Sequence, residues 1–98
     1  MKGTEKQIAW ANEIVNKMVT VYNNHDGGMG LTVEQAKVMA NVIENEAKNA
    51  NACDIIDGFK NIDENIKDIT THVRVAYIAE KNQFAISVLT AFQNFFKK

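Results

Sequence analysis

A helix-start signal followed by apolar residues at helical spacing is the strongest constraint in this sequence, and it occurs twice. Thr4 with Gln7 fits a capping box, in which each side chain bonds the backbone N–H of the other residue. The apolar residues behind it gather on one side at about 100° per residue, which predicts an amphipathic helix of about 18 residues. They are Ile8, Ala11, Ile14, Val15, Met18, Val19 and Tyr22. Thr32 with Gln35 repeats the signature and predicts a second helix over roughly residues 33 to 49.

The remainder of the chain favours helices, with one alternative. A glycine-rich loop over residues 23 to 30 ends the first helix, and apolar spacing predicts a short third helix over residues 51 to 60. A further stripe runs from Ile62 to Phe96, as one long helix or as two helices broken near Asn82. Residues 70 to 79 are rich in β-branched side chains and could instead pair with residues 84 to 89 as a hairpin.

A two-stranded hairpin needs a surface to pack on, and the other segments favour helices. The prediction is therefore an all-α fold, a compact bundle of four to five helices in a single domain over residues 1 to 98. A C-terminal β-hairpin, which would make the fold α+β, is the alternative.

Composition narrows the functional classes. The formal net charge is −1, so no overall field attracts the chain to polyanions, and Arg74 is the sole arginine available for bidentate phosphate or guanine contacts. Cys53 is the sole cysteine, which excludes an intrachain disulfide. The longest uncharged run, residues 82 to 96, is too short to span a bilayer. We expect a cytoplasmic protein that does not enter a membrane.

Side chains capable of catalysis or metal binding do not form a recognisable motif. His25 and Asp26 precede the glycines of the first loop, but nearby ligands for a metal and the spacing of a phosphate-binding loop are lacking. Nothing near Cys53 in sequence activates its thiol, and we expect a small buried side chain there. His72 is expected at the surface or at its boundary. The prediction is a non-enzyme with no cofactor and no metal site.

The interface candidates are side chains that lie outside the predicted core. Val38 and Val42 form a second stripe on the second helix, while Trp10 lies at the edge of the first apolar face, as a rim residue of the core or as a binding anchor. Between Glu44 and Asp68 there are seven acidic residues and three lysines. This excess of negative charge indicates either a solvated face or a patch that binds a basic partner. The candidates are Trp10, Val38, Val42, Asp54, Asp57, Phe92 and Phe96.

The run from Gly3 to Ala11 resembles the N-terminus of a loose group of small, uncharacterised proteins from phages, plasmids and genomes of Gram-positive bacteria. Members of that group carry a later Trp-Trp-Ile-Asp motif that follows an alanine. The matching place here is the segment 52–57, in which Ala52, Ile56 and Asp57 agree and Asp54-Ile55 replaces the aromatic pair. The resemblance implies an origin in a mobile element and no particular activity.

These observations predict a non-catalytic protein-binding module, acting as a monomer or as a homodimer. Small acidic phage proteins without catalytic residues often act by stoichiometric binding to a host enzyme. A stoichiometric inhibitor of a bacterial defence nuclease of the CRISPR type is therefore the specific hypothesis. The alternative is a small nucleic-acid-associated regulator resembling a helix-turn-helix protein, which would need a lysine-lined helix face. The lysines are spread along the chain, so nucleic acid is the less favoured partner.

Overall fold

Five α-helices make up the computed structural model, which describes residues 1–27, 31–62 and 69–96. They are α1 (Glu5–Asn23), α2 (Val33–Ala47), α3 (Ala52–Phe59), α4 (Ile69–Ile78) and α5 (Gln83–Phe96). Within these ranges the β structure is confined to an isolated parallel bridge between Lys2 and Asn51. The radius of gyration, 12.5 Å, is that of a compact chain of this length. The predicted all-α bundle is confirmed.

Both predicted capping boxes are present. The Thr4 hydroxyl accepts from the Gln7 N–H at 3.2 Å, and the Gln7 side chain accepts from the Thr4 N–H at 3.0 Å. Thr32 and Gln35 form the same pair at 3.0 and 2.9 Å. Each box satisfies two backbone donors that a helix N-terminus otherwise leaves without partners.

The hairpin alternative is wrong, because residues 70–78 lie in α4 and residues 84–89 lie in α5. Ile69, Val73 and Ala76 are buried, a spacing that belongs to a helix and that a strand would not produce. The helical spacing of the predicted stripe also includes Tyr77, but this side chain is exposed. Residues 63–68 of the predicted stripe and residues 28–30 of the predicted loop lie outside the described residues.

The long C-terminal stripe forms two helices, and Asn82 marks the break. Lys81 has a positive φ of 51°, which turns the chain, and the Asn82 N–H then donates to the Ala76 carbonyl at 2.9 Å. The Asn82 side-chain oxygen accepts from the Ala85 N–H at 3.0 Å and so caps the start of α5.

Asn82 also joins three helices. Its side-chain nitrogen donates to the Asp54 carbonyl of α3 at 2.7 Å, and the side chain packs against Gly58. The imidazole of His72, on α4, donates from Nε2 to the carbonyl of the same Gly58 at 2.8 Å. We call Gly58, His72 and Asn82 the α3–α4–α5 junction.

The core lies where α1 packs against α2 and α3, and where α5 packs against α2, α3 and α4. Its largest fully buried side chains are Tyr22, Phe59, Phe84, Met18, Met39, Ile43, Ile55, Ile69, Val73 and Val88. The Tyr22 hydroxyl hydrogen-bonds the Thr70 hydroxyl at 3.0 Å and links α1 to α4. Among the described helices, none is both long enough and apolar enough to cross a bilayer.

The prediction of a buried Cys53 is wrong, since the thiol is exposed. Cys53 follows the buried Ala52 by one residue, a rotation of about 100° around the helix axis. That rotation turns Cys53 away from the face that Ile55 and Phe59 bury. The residue type favours burial, but the position on the helix decides exposure.

Candidate protein-binding surfaces

The last turn of α5 carries a cluster of three phenylalanines. Phe92 and Phe96 lie with ring centroids 5.1 Å apart at an interplanar angle of 71°, and Phe95 and Phe96 lie 5.1 Å apart at 74°. Edge-to-face contacts of this kind are favourable for aromatic pairs. Phe92, Phe95 and Phe96, which we call the aromatic end, therefore form an ordered apolar cluster.

The aromatic end continues the core-facing side of α5 beyond the core. Phe95 follows Val88 by seven residues, so that the two side chains point to nearly the same side of the helix. Val88 is buried, whereas Phe95 is 52% exposed and Phe96 is 50% exposed. Phe92 packs partly against the core. The apolar side of the helix is thus longer than the part that the other helices cover.

A second apolar surface lies on α4, on the side opposite its buried residues. Ile78 is 72% exposed and Val75 is 52% exposed, although Ile69, Val73 and Ala76 of the same helix are buried. Arg74 and Glu80 are exposed and flank this pair along the chain. We call Arg74, Val75 and Ile78 the outer face of α4; Glu80 follows the helix, which ends at Ile78. A groove of about 350 Å³ beside Val75 is lined by Thr71, His72, Val75, Ala76 and Glu80.

The carboxylates of Glu46 and Asp54 share a polar cleft. Both residues are half-buried, and the cleft has a volume of about 180 Å³ between the end of α2, the start of α3 and the start of α5. The other residues that line it are Asn49, Ala50, Asn51, Gln83, Phe84 and Ser87. We call it the acidic cleft. Two carboxylates at a cleft favour a cationic group on a partner.

The structure distributes the sequence-predicted interface residues over several surfaces. It brings Phe92 and Phe96 together in the aromatic end, and it places Asp54 beside Glu46 in the acidic cleft. Trp10 is 48% exposed on α1. The remaining three are Val38 and Val42, which are half-buried on α2, and Asp57, which is exposed on α3.

Sequence reasoning missed the outer face of α4 as a surface. The sequence does carry a signal for this surface. The ten residues from Ile69 to Ile78 contain one charged side chain, Arg74, so a helix over this segment has apolar residues on more than one side. A helix of that composition normally has a second covering partner. The predicted helical stripe covers one side of this segment, and the strand alternative draws attention to its β-branched residues and away from the other sides of the helix.

The histidines are engaged in structural hydrogen bonds. The Nε2 atom of His25 lies 2.6 Å from the Leu31 carbonyl oxygen and donates to it, and His72 donates to Gly58 as described above. No group of three His, Cys, Asp or Glu side chains in the described parts of the chain is arranged to hold a metal ion. Every buried side-chain polar atom described by the structure has a hydrogen-bond partner.

The residues before α1 pack against the start of α3. Gly3 has φ 152°, and a Cβ added there would lie 3.0 Å from Cβ of Ala52 and 3.1 Å from Oε1 of Gln7. Lys2 donates to the Ala50 carbonyl and accepts from the Ala52 N–H, at 3.0 and 2.7 Å. Residues 2–3 therefore meet residues 50–52 at the start of α3, and these contacts hold the N-terminal segment against the fold.

Comparison with family models, with curated proteins and with solved structures finds no significant match to this chain.

Proposed function

We propose that the chain is a non-catalytic protein-binding module that uses the aromatic end as its anchor. The observation that carries the proposal is the exposure of two rings, those of Phe95 and Phe96, in an ordered cluster on the core-facing side of α5. Buried aromatic anchors supply a large share of the binding energy at protein interfaces. Because the rings already contact one another, little side-chain freedom remains to be lost on binding.

The acidic cleft indicates the chemistry of the partner. It lies at the first turn of α5, and the aromatic end lies at the last turn, about 15 Å away along the helix at 1.5 Å per residue. A partner that covers both would present an apolar pocket next to basic side chains. Charge pairs of this kind act mainly on the association rate and on specificity.

A defence nuclease of the CRISPR type fits that description, because nucleic-acid-binding proteins neutralise phosphates with lysine and arginine. The proposed role is stoichiometric inhibition in the cytoplasm by occupation of a basic, nucleic-acid-binding surface. The resemblance of residues 3–11 to the N-terminus of phage and plasmid proteins supports the same context.

The test uses purified nucleases of several CRISPR types, each mixed with the wild-type chain and assayed for guided DNA cleavage and for a co-eluting complex. The double substitution Phe95→Ser with Phe96→Ser is expected to remove both inhibition and the complex from any nuclease that the wild type inhibits. Tyr77→Ser is the matched control, since it removes an exposed aromatic ring from another helix.

Two results would contradict the proposal. One is the absence of any complex and any inhibition across the panel, and the other is equal inhibition by the wild type and the double variant. Binding to duplex DNA that weakens steeply with salt would favour a nucleic-acid-associated regulator instead.

A further inference from the structure

We propose that Asp26–Gly27, between α1 and α2, is a site of isoaspartate formation, a covalent modification of the backbone that needs no enzyme. The chain contains two Asp-Gly pairs, Asp26–Gly27 and Asp57–Gly58. Glycine after aspartate suits this reaction, because it has no side chain to crowd the ring that forms. The two pairs consist of the same residue types, so the surroundings that the fold gives each pair decide which of them reacts.

The reaction needs no partner other than water. The backbone nitrogen of Gly27 attacks the side-chain carboxyl carbon of Asp26 and forms a C–N bond, while the carboxyl hydroxyl leaves with the amide proton as water. A second water molecule then opens the succinimide ring. Opening at the backbone carbonyl carbon leaves the chain running through Cβ and Cγ, which is isoaspartate, and opening at the other carbonyl carbon restores aspartate. The mass is unchanged, but the backbone of the loop gains an atom.

The surroundings of Asp26–Gly27 permit the attack. Both residues are exposed, and they lie beyond the end of α1 at Asn23. Gly27 has φ 94°, a conformation that glycine adopts readily. Apart from its chain neighbours, the described group nearest to a Cβ built on Gly27 is the Val33 side chain at 3.7 Å, an ordinary packing distance. The peptide bond is therefore open to the carboxyl group and to water.

The surroundings of Asp57–Gly58 prevent the same attack. Both residues lie in α3, and in an α-helix the backbone N–H groups bond to carbonyl oxygens four residues earlier. Gly58 is buried, and a Cβ built on it would lie 2.7 Å from Nδ2 of Asn82. The Gly58 nitrogen can reach the Asp57 carboxyl carbon only after α3 opens. Opening of a packed helix costs a large part of the stability of a fold, so the reaction at this pair is slow.

Ageing of the purified chain at neutral pH and physiological temperature tests the proposal. Peptide mapping measures the product, because an isoaspartyl peptide has the mass of its aspartyl counterpart but a different retention time, and it resists proteases that cleave at aspartate. Isoaspartate at residue 26 is expected to accumulate at least about 100-fold faster than at residue 57. That ratio corresponds to about 2.8 kcal/mol of opening free energy for α3.

Ageing in concentrated urea separates the effect of the fold from that of the sequence. In the unfolded chain both Asp-Gly pairs are exposed and without helix hydrogen bonds, so the two rates should become similar. The same comparison in the folded chain should show product almost entirely at residue 26.

Matched substitutions assign the product to its residue. Asp26→Glu should abolish isomerisation at residue 26, since glutamate would have to close a larger ring, which is far slower. Asp57→Glu is the control, because Asp57 is also exposed, and it should leave the rate at residue 26 unchanged. Circular dichroism shows that each variant is folded before ageing begins.

Three results would overturn the proposal. The first is the absence of isoaspartate at residue 26 of the folded chain over a period in which the unfolded chain accumulates it. The second is equal rates at residues 26 and 57 in the folded chain. The third is the same ratio of rates with and without urea, which would assign the difference to local sequence.

Discussion

Substitution of Gly58 by alanine is expected to destabilise the fold through one neighbour, the side chain of Asn82. A Cβ on Gly58 would lie 2.7 Å from Nδ2 and 3.0 Å from Cγ of Asn82, which is closer than packed atoms approach. Asn82 cannot move away without weakening its hydrogen bonds to the Asp54 carbonyl at 2.7 Å and from the Ala85 N–H at 3.0 Å.

The magnitude follows from those two hydrogen bonds. Loss of the bond to the Asp54 carbonyl costs about 1–3 kcal/mol where the group stays buried, and loss of a helix N-cap costs about 1 kcal/mol. Alanine has a higher helix propensity than glycine, which offsets up to about 1 kcal/mol of this loss in the free energy of unfolding. We therefore expect Gly58→Ala to lower the free energy of unfolding by about 1–3 kcal/mol.

A double-mutant cycle isolates the contact. Asn82→Ala alone should cost about 2–4 kcal/mol, because it removes both hydrogen bonds. In that background the space beside residue 58 is open, so Gly58→Ala should be neutral or stabilising by up to about 1 kcal/mol. The coupling free energy between the two substitutions is then about 1–4 kcal/mol.

The assay is urea unfolding of the four proteins, followed by far-ultraviolet circular dichroism with the m-value determined for each. Asn82→Ser is the matched control, since serine keeps the cap of α5 and loses the bond to Asp54. Asn82→Ser should lower the free energy of unfolding relative to the wild type, but by less than Asn82→Ala does. Additive effects of Gly58→Ala and Asn82→Ala, within about 0.5 kcal/mol, would refute the reasoning.

Three further predictions concern the backbone and the core. Gly3→Ala should lower the melting temperature more than Gly27→Ala does. Both glycines have a positive φ, but only at Gly3 would the added Cβ also crowd a neighbour, Cβ of Ala52 at 3.0 Å. Equal effects of the two substitutions would contradict this. Lys81→Gly should raise the free energy of unfolding by about 0.5–1 kcal/mol in urea, since the φ of 51° favours glycine; a lower value would show that the turn is not strained. Tyr22→Phe should cost about 1 kcal/mol by calorimetry through loss of the bond to Thr70, and an unchanged melting temperature would argue against that bond.

The features predicted well from sequence are those set by local chemistry. The capping boxes at Thr4 and Thr32 fix where α1 and α2 begin, because the partner lies three residues away in each case. The apolar stripe of α1 is also correct, since helical spacing alone decides which residues share a face.

The features that the sequence does not predict depend on contacts between residues far apart in the chain. Residues 70–79 have β-branched side chains that suit a strand, but burial of Ile69 and Val73 beside the other helices selects the helix. The junction joins Asn82 to the Asp54 carbonyl, 28 residues away, and no local pattern indicates such a contact. The acidic cleft was visible only as a charge imbalance, because its walls come from three separate helices.

The central claim, that the aromatic end anchors a protein partner, is tested most directly by calorimetric titration of an inhibited nuclease with the wild type and with Phe95→Ser, Phe96→Ser. Each ring leaves about half of roughly 200 Å² exposed, worth about 2.5 kcal/mol if fully buried by a partner. Part of that energy offsets the loss of motional freedom on association, so the pair should contribute about 2–4 kcal/mol. The account predicts a dissociation constant raised by about 30- to 1,000-fold in the double variant. A change of less than about threefold, in a variant shown to be folded, would contradict it.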